Sequence, residues 1–293
     1  MKRRQFLGLI GSSALAAGLA ACGKSSAPAS SPEAASSPAA ASSPAASSAA
    51  AAKGSVTLKV GATPVPHGDL LKVAAKNLEK EGVTLKIVEF NDYVQPNTAL
   101  EDKDLDANFF QHKPYLDDFQ KNHHTHLLAL APIHIEPIGL YTGKSKDLKT
   151  IKDGAKIAIP NDATNGGRAL LLLQAAGLIT LKKGTGITAT KADIASNPHK
   201  IKLVELESAA VPRSLKDVDF AVINSNFALT VNLNPTKDAI FIEGADSPYA
   251  NYLVVRQGDE KRPEIQKLVK ALQSPEVKDY IEKNLKGAVV PAF

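Results

Sequence analysis

Only one cysteine, Cys22, stands in the whole chain, so no intramolecular disulfide can form and the fold must be held without covalent staples. A large excess of charge of one sign is also lacking. The formal net charge is +5, and Lys2, Arg3 and Arg4 supply three of those charges at the extreme N-terminus. The remainder is too nearly neutral, and too poor in basic stripes interleaved with aromatics, to argue for a nucleic-acid partner. There is no long apolar run. The stretch from Phe6 to Ala21 is about 16 residues, short of the ~20 that a spanning helix needs, and no stop-transfer charges follow it. The constellations of catalysis are missing too: there is no Gly-x-Ser-x-Gly elbow and no His-Glu-x-x-His, and the one cysteine lies outside the body. Neither an enzymatic activity nor a cofactor is expected.

What is present begins with an export signal at residues 1–21. Lys2-Arg3-Arg4 forms a basic head and Leu7 to Ala20 an apolar segment. The pair Arg3-Arg4 followed by Gln5-Phe6-Leu7 resembles the twin-arginine motif, and an ordinary general-secretion signal is the other reading. Leu19-Ala20-Ala21-Cys22 resembles the bacterial lipobox, which makes Cys22 the expected site of lipidation and the protein a membrane-anchored lipoprotein. Gly23 leaves open which membrane and which face carry it. From Lys24 to Lys53 the chain is almost all Ser, Ala and Pro and cannot form a core, so residues 22–54 read as the anchor and a tether. About 30 such residues span roughly 30 Å root-mean-square as a coil.

The pattern changes at Val56. Short apolar runs alternate with amphipathic segments, which predicts an α/β body. Val56, Leu58 and Val60 alternate as a strand, Leu70, Leu71, Ala74 and Leu78 recur at helical spacing up to Gly82, and Val83–Val88 reads as the next strand of a βαβ unit. Further strands are expected at Ala107–Phe110, Leu127–Ala131, Ile138–Tyr141, Lys156–Ile159, Ile201–Leu206, Phe220–Ile223 and Tyr252–Val255. Helices are expected at Arg168–Ala176, Glu264–Leu272 and Glu276–Leu285. So many alternating elements suit two lobes better than one.

Several motifs invite a chemical reading and fail it. Gly139 to Ser145 lacks the four-residue glycine spacing of a phosphate loop, and Gly184-Thr185-Gly186 lacks the third glycine of a dinucleotide fingerprint. His123, His124 and His126 suggest a zinc ligand set, as in a metal-binding chaperone. On an extended segment, however, His124 and His126 share a face that His123 does not, and no cysteine or nearby carboxylate completes the set, so a solvated cluster is expected and no metal site. The stretch Pro160-Asn161-Asp162-Ala163-Thr164-Asn165-Gly166-Gly167-Arg168 reads as a strand end, a loop and a helix with an arginine in its first turn. That is the wrong charge for the helix dipole unless an anion lies between them. A carboxylate held by Arg168, with Asn165 beside it, is one reading. A capping loop with an exposed arginine is the other, and these residues alone do not choose.

Around that stretch lie Phe90-Asn91-Asp92-Tyr93-Val94-Gln95-Pro96-Asn97, Asp106-Ala107-Asn108-Phe109-Phe110-Gln111-His112-Lys113-Pro114-Tyr115-Leu116, Leu203–Leu215, Ala221-Val222-Ile223-Asn224 and Ser247-Pro248-Tyr249-Ala250-Asn251. In this order, over about Leu58 to Phe293, they resemble the methionine-binding lipoproteins of ABC importers, the NlpA/MetQ family of periplasmic solute-binding proteins. The resemblance implies an α/β, two-lobe periplasmic-binding-protein clamshell with the ligand cleft between lobes. One lobe would be built from 55–135 plus 252–293 and the other from 136–251, with hinge closure over the ligand. It implies capture of methionine or a related amino acid, L- or D- or in a dipeptide, and delivery to an importer permease and its ATPase. Arg168 would bind the carboxylate beside Asn165, Asn224 and Asn251 would hold the amino-acid backbone and above all its ammonium, and Tyr93, Phe110, His112 and Tyr115 would surround the thioether. For Phe110 and Tyr115 simple core packing is the competing role. Ile133-His134-Ile135-Glu136-Pro137 departs from the pattern and is expected to leave the binding residues untouched. A surface lipoprotein that keeps the fold for adhesion is the alternative function.

Overall fold

Alternation of side chains above and below an extended backbone starts the body. In β1 (Val56–Ala62), Leu58, Val60 and Ala62 are buried. α1 (Asp69–Lys80) then lays Leu70, Leu71, Ala74 and Leu78 against the sheet, each fully buried leucine contributing on the order of 2 kcal/mol. Gly82, at φ +74°, makes the left-handed turn into β2 (Val83–Glu89), which pairs parallel to β1 from Val56 opposite Val83 to Ala62 opposite Glu89. The expected βαβ unit is there. α2 (Gln95–Glu101), β3 (Ala107–His112), α3 (Lys113–His123) and β4 (Leu127–Ile135) follow, with every residue of β3 buried.

The chain then crosses to a second sheet through β5 (Gly139–Thr142), β6 (Lys156–Pro160), α4 (Ala163–Ala175), a two-stranded ribbon of β7 (Thr180–Leu181) and β8 (Ile194–Ser196), β9 (Lys202–Leu206), β10 (Phe220–Ile223), α5 (Ser225–Thr230), α6 (Pro235–Asp238) and β11 (Ala239–Ile242). It returns with β12 (Ala250–Arg256), α7 (Pro263–Leu272), α8 (Pro275–Tyr280) and β13 (Val290–Pro291). The computed structural model describes residues 55–244 and 247–293. The expected signal peptide, lipidated Cys22 and tether lie outside the described residues.

Two sheets result, ordered β13-β4-β12-β3-β1-β2 and β11-β5-β10-β6-β9. Each has its own core, the first around Leu58, Phe109 and Leu253, the second around Leu140, Ile157, Leu170 and Phe220. The fold is thus α/β with two lobes. The two crossings lie side by side: Ala250 pairs with Ile135 and Asn251 with His134, and the Glu243 amide donates to the Ile138 carbonyl at 3.0 Å. The cleft opens beyond the carboxyl ends of the parallel strands β3, β6 and β10, where strand carbonyls stop and helix amides begin.

Among the described residues, no helix is long and apolar enough to cross a membrane.

Candidate functional site

The loop after β6 is shorter than the sequence suggests. Asp162 is extended, and its carboxylate accepts from the Asn165 amide at 2.8 Å and the Thr164 hydroxyl at 3.1 Å, a side-chain cap that starts α4 at Ala163. Gly166 and Gly167 are therefore helical rather than loop. At Gly167 glycine is needed because a Cβ would collide with the Ile187 carbonyl oxygen. Arg168 falls in the second turn, so the expected mismatch with the helix dipole does not arise, and the Asn165 amide of the first turn is served by Asp162. The exposed-arginine alternative fails as well, because Arg168 is 3% exposed.

What holds Arg168 lies far away in sequence. Its Nε donates to Glu243 Oε1 at 2.9 Å, its Nη2 to Glu243 Oε2 and to the Glu136 carbonyl at 2.7 Å, and its guanidinium lies 4.1 Å over the Tyr249 ring. Nη1 has no hydrogen-bond partner among the described residues. Both glutamates sit on the crossings between lobes, so the arginine of one lobe is clamped by the hinge.

Tyr93, Phe110, His112, Tyr115, Asn165, Arg168, Asn224 and Asn251, all eight residues that the sequence singled out, line one cavity between the lobes. One side is aromatic. The Tyr93 ring lies 5.8 Å from Phe110, 5.6 Å from Tyr115 and 4.9 Å from Phe227, while the Tyr115 hydroxyl donates to the Tyr93 carbonyl at 2.9 Å. Phe110 and Tyr115 also pack on Phe119, so core packing and cavity lining are combined in both. Burial pushes the Tyr115 phenol up.

His112 closes this side. Its Nδ1 accepts from the Tyr115 amide at 3.1 Å, capping α3, so Nε2 carries the proton and donates to Asn165 Oδ1 at 3.1 Å. Burial first, and the Arg168 charge second, lower its pKa to about 3. Asn165 is thereby spent within the protein: its Oδ1 also accepts from Asn224 Nδ2 at 2.8 Å and its Nδ2 donates to Asp162. It organises His112 and Asn224 instead of standing free beside Arg168. The His112–Asn165 bond crosses the cleft, as does that from the Tyr93 hydroxyl to Asn226 Oδ1 at 2.6 Å, so the lobes are closed on one another.

The other side is polar, and here the sequence reading was incomplete. Glu136, expected to stay clear of the site, lines it and is 6% exposed. Its Oε1 lies 2.7 Å from His134 Nε2 and 3.3 Å from His67 Nε2, and its Oε2 accepts from the Asn226 amide at 3.1 Å. Burial raises its pKa, opposed by His67 and Arg168. Asn224 Oδ1 and Asn226 Nδ2 are buried without a hydrogen-bond partner among the described residues. Two lone polar atoms in one cavity, an acceptor and a donor, await a ligand that supplies the complements. Gln111 and Ser225 complete the lining. The available signal for Glu136 was a carboxylate two residues after His134 in a run, Ile133 to Ile138, that is apolar at its other positions and lies at a lobe crossing. For Asn226 it was position, two residues beyond Asn224 on the first turn after β10.

Metal binding is poorly served. His123 stacks on Phe119 at 4.2 Å between ring centroids and His126 pairs with Glu101 at 3.0 Å, so the three sequence-adjacent histidines do not converge, although a carboxylate does stand beside one of them. His67, His134 and Glu136 bring ligand atoms within 4.8 Å of one another. The 2.7 Å from His134 to Glu136 is a hydrogen-bond length, too close for an ion at ~2 Å from both atoms in tetrahedral geometry.

Residues 58–293 match the sequence model of the family described as NlpA lipoprotein. The D-methionine-binding lipoprotein MetQ of Salmonella typhimurium is 45% identical over 239 residues, 80% of this chain and 88% of that protein. A nutrient binding protein from Burkholderia cenocepacia, solved bound to methionine, is 52% identical, with a TM-score of 0.78 over 80% of this chain and all of that one. An ABC transporter periplasmic substrate-binding protein from Coxiella burnetii is 44% identical, with a TM-score of 0.77 over 80% of this chain and 100% of that chain.

Proposed function

Because the chain belongs to the NlpA lipoprotein family, we propose that its cleft captures methionine outside the cytoplasm and delivers it to an ABC importer, as a receptor rather than an enzyme. The observation that carries this reading is the division of one cavity between the lobes into an aromatic half and a half with unpartnered polar atoms of both kinds. A free amino acid is a zwitterion, and methionine adds a soft thioether that gains from aromatic edges. The ammonium is assigned to the Glu136 carboxylate and Asn224 Oδ1, the carboxylate to Arg168 Nη1 and Asn226 Nδ2, and the side chain to Tyr93, Phe110, His112 and Tyr115. Asn251 contacts the amino-acid backbone, and Asn165 acts through His112 and Asn224.

The methionine-bound relative at 52% identity supports the ligand, and the relative named as an ABC transporter component supports the route. The permease and ATPase are then the partners of the closed, loaded form, with the lipid on Cys22 holding the receptor at the membrane. An adhesive role that abandoned transport would leave no pressure for a paired arginine and unpartnered amides aimed into one cavity, and the intact lining favours capture. Titration calorimetry on ligand-stripped protein tests the proposal. Methionine is expected to bind with one site and far below the millimolar range, and Glu136→Gln to weaken it about a hundredfold or more. Absence of binding to the unsubstituted chain sinks the reading.

A further inference from the structure

His67 does not line the cavity, yet it touches two residues that do. It is fully buried at the entry to α1, with Nδ1 2.7 Å from the Thr63 hydroxyl and Nε2 3.1 Å from Asn251 Oδ1 and 3.3 Å from Glu136 Oε1. Its ring stands edge-on to Phe109 at 4.8 Å and tilted to His134 at 4.9 Å, so it has little room to turn.

The proton on this ring can be placed. A lone pair on Nε2 would face a carboxylate oxygen, so Nε2 carries hydrogen. Thr63 is 1% exposed and its hydroxyl has no other partner among the described residues, so it donates to Nδ1. The two contacts agree on one neutral tautomer. Its Nε2–H points at Asn251 Oδ1, which decides the orientation of an amide that could otherwise face either way. Asn251 lines the cavity, and with Oδ1 spent on His67 its Nδ2, which has no partner among the described residues, is left for a ligand there.

We propose that His67 is a positioning residue which, held in one tautomer by Thr63 and Glu136, fixes Asn251 as a hydrogen-bond donor to the ligand carboxylate. This rests on the reading of the cleft as an amino-acid site. It reverses the role that the sequence suggested for Asn251, since the ammonium needs acceptors. It also gives the site a polarity: acceptors at Glu136 and Asn224, donors at Arg168, Asn226 and Asn251. A ligand entering with its charged groups exchanged would meet like against like.

The test compares methionine with methioninamide, which keeps the ammonium and side chain but lacks the anionic carboxylate. Calorimetric affinities of both would be measured for the unsubstituted chain, His67→Phe and Thr63→Val. His67→Phe preserves a ring against Phe109 and removes both nitrogens. Thr63→Val leaves His67 in place and removes only the hydroxyl, so it serves if the first variant does not fold. The preference for methionine over methioninamide is expected to shrink roughly tenfold in His67→Phe, and by less in Thr63→Val, with the weakening concentrated on methionine. Equal weakening of both ligands, or an unchanged preference in the variants, overturns the proposal, as does a nitrogen NMR spectrum placing the His67 proton on Nδ1. If the unsubstituted chain binds neither ligand, the amino-acid reading itself falls and this inference with it. If it binds methionine and the preference does not move, only His67 is misassigned.

Discussion

The two halves of the cavity are built on different physics. On the aromatic side, Tyr93, Phe110 and Tyr115 pack mainly on one another and on Phe119 and Phe227, and each contact is one of many weak ones. On the polar side, Arg168, Glu136 and the asparagines are buried and Glu243 is half-buried, and their partners can be counted one by one. Loss of one ring contact is shared among neighbours, whereas loss of one charge leaves its partner uncompensated in a region of low dielectric. The aromatic half should tolerate change and the polar half should not.

Arg168→Ala should show this most strongly. It strips Glu243 of its bidentate partner and is expected to cost about 3 kcal/mol or more in urea unfolding, in addition to lost methionine binding. A cost under 1 kcal/mol would mean that the clamp is solvated enough to dispense with its cation, and the contrast between the halves would weaken.

Acidification acts on the polar side and its border with the aromatic one. Burial holds His67 at about 4 and His112 and His134 at about 3, against 6.5 in the unfolded chain. With folded values depressed, the unfolded state binds more protons below pH 6.5. Stability is therefore complete above that pH and is lost as pH falls toward 4, by up to about 1.4 kcal/mol per pH unit for each histidine. Glu136, raised by burial, opposes this as one group against three. Unfolding free energies measured between pH 7.5 and 4.5 should fall accordingly, and a flat profile would place water beside these rings.

The smallest effect belongs to the aromatic wall. Tyr115→Phe removes only the bond to the Tyr93 carbonyl, and a loss of about 1 kcal/mol in stability is expected with the methionine affinity lowered a few-fold. A loss as large as that for Arg168→Ala would show that the wall is no more tolerant than the charges.

Local patterns carried much of this far. Alternation in Val56–Ala62 and helical spacing from Leu70 to Leu78 are short-range consequences of backbone geometry, and both are realised as read. The start of α4 was misplaced because a glycine pair reads as loop, while in the fold Gly167 is small to admit the Ile187 carbonyl oxygen, a contact across the chain. The eight cavity residues were legible through resemblance to a family, but several of their roles were not. Asn165 looked like a ligand group until its bonds to Asp162, His112 and Asn224 accounted for its amide. Glu243 had no signal near Arg168, being 75 residues away.

By itself, then, the sequence determined the α/β alternation, the positions of most strands and the chemical kinds of side chain available to the cleft, because propensity and periodicity act between neighbours in the chain. Only the tertiary structure decided which of those groups are already satisfied and which remain free. That depends on partners brought together by the paired crossings at Glu136 and Glu243, and a buried polar atom is defined by its partner rather than by its neighbours in sequence.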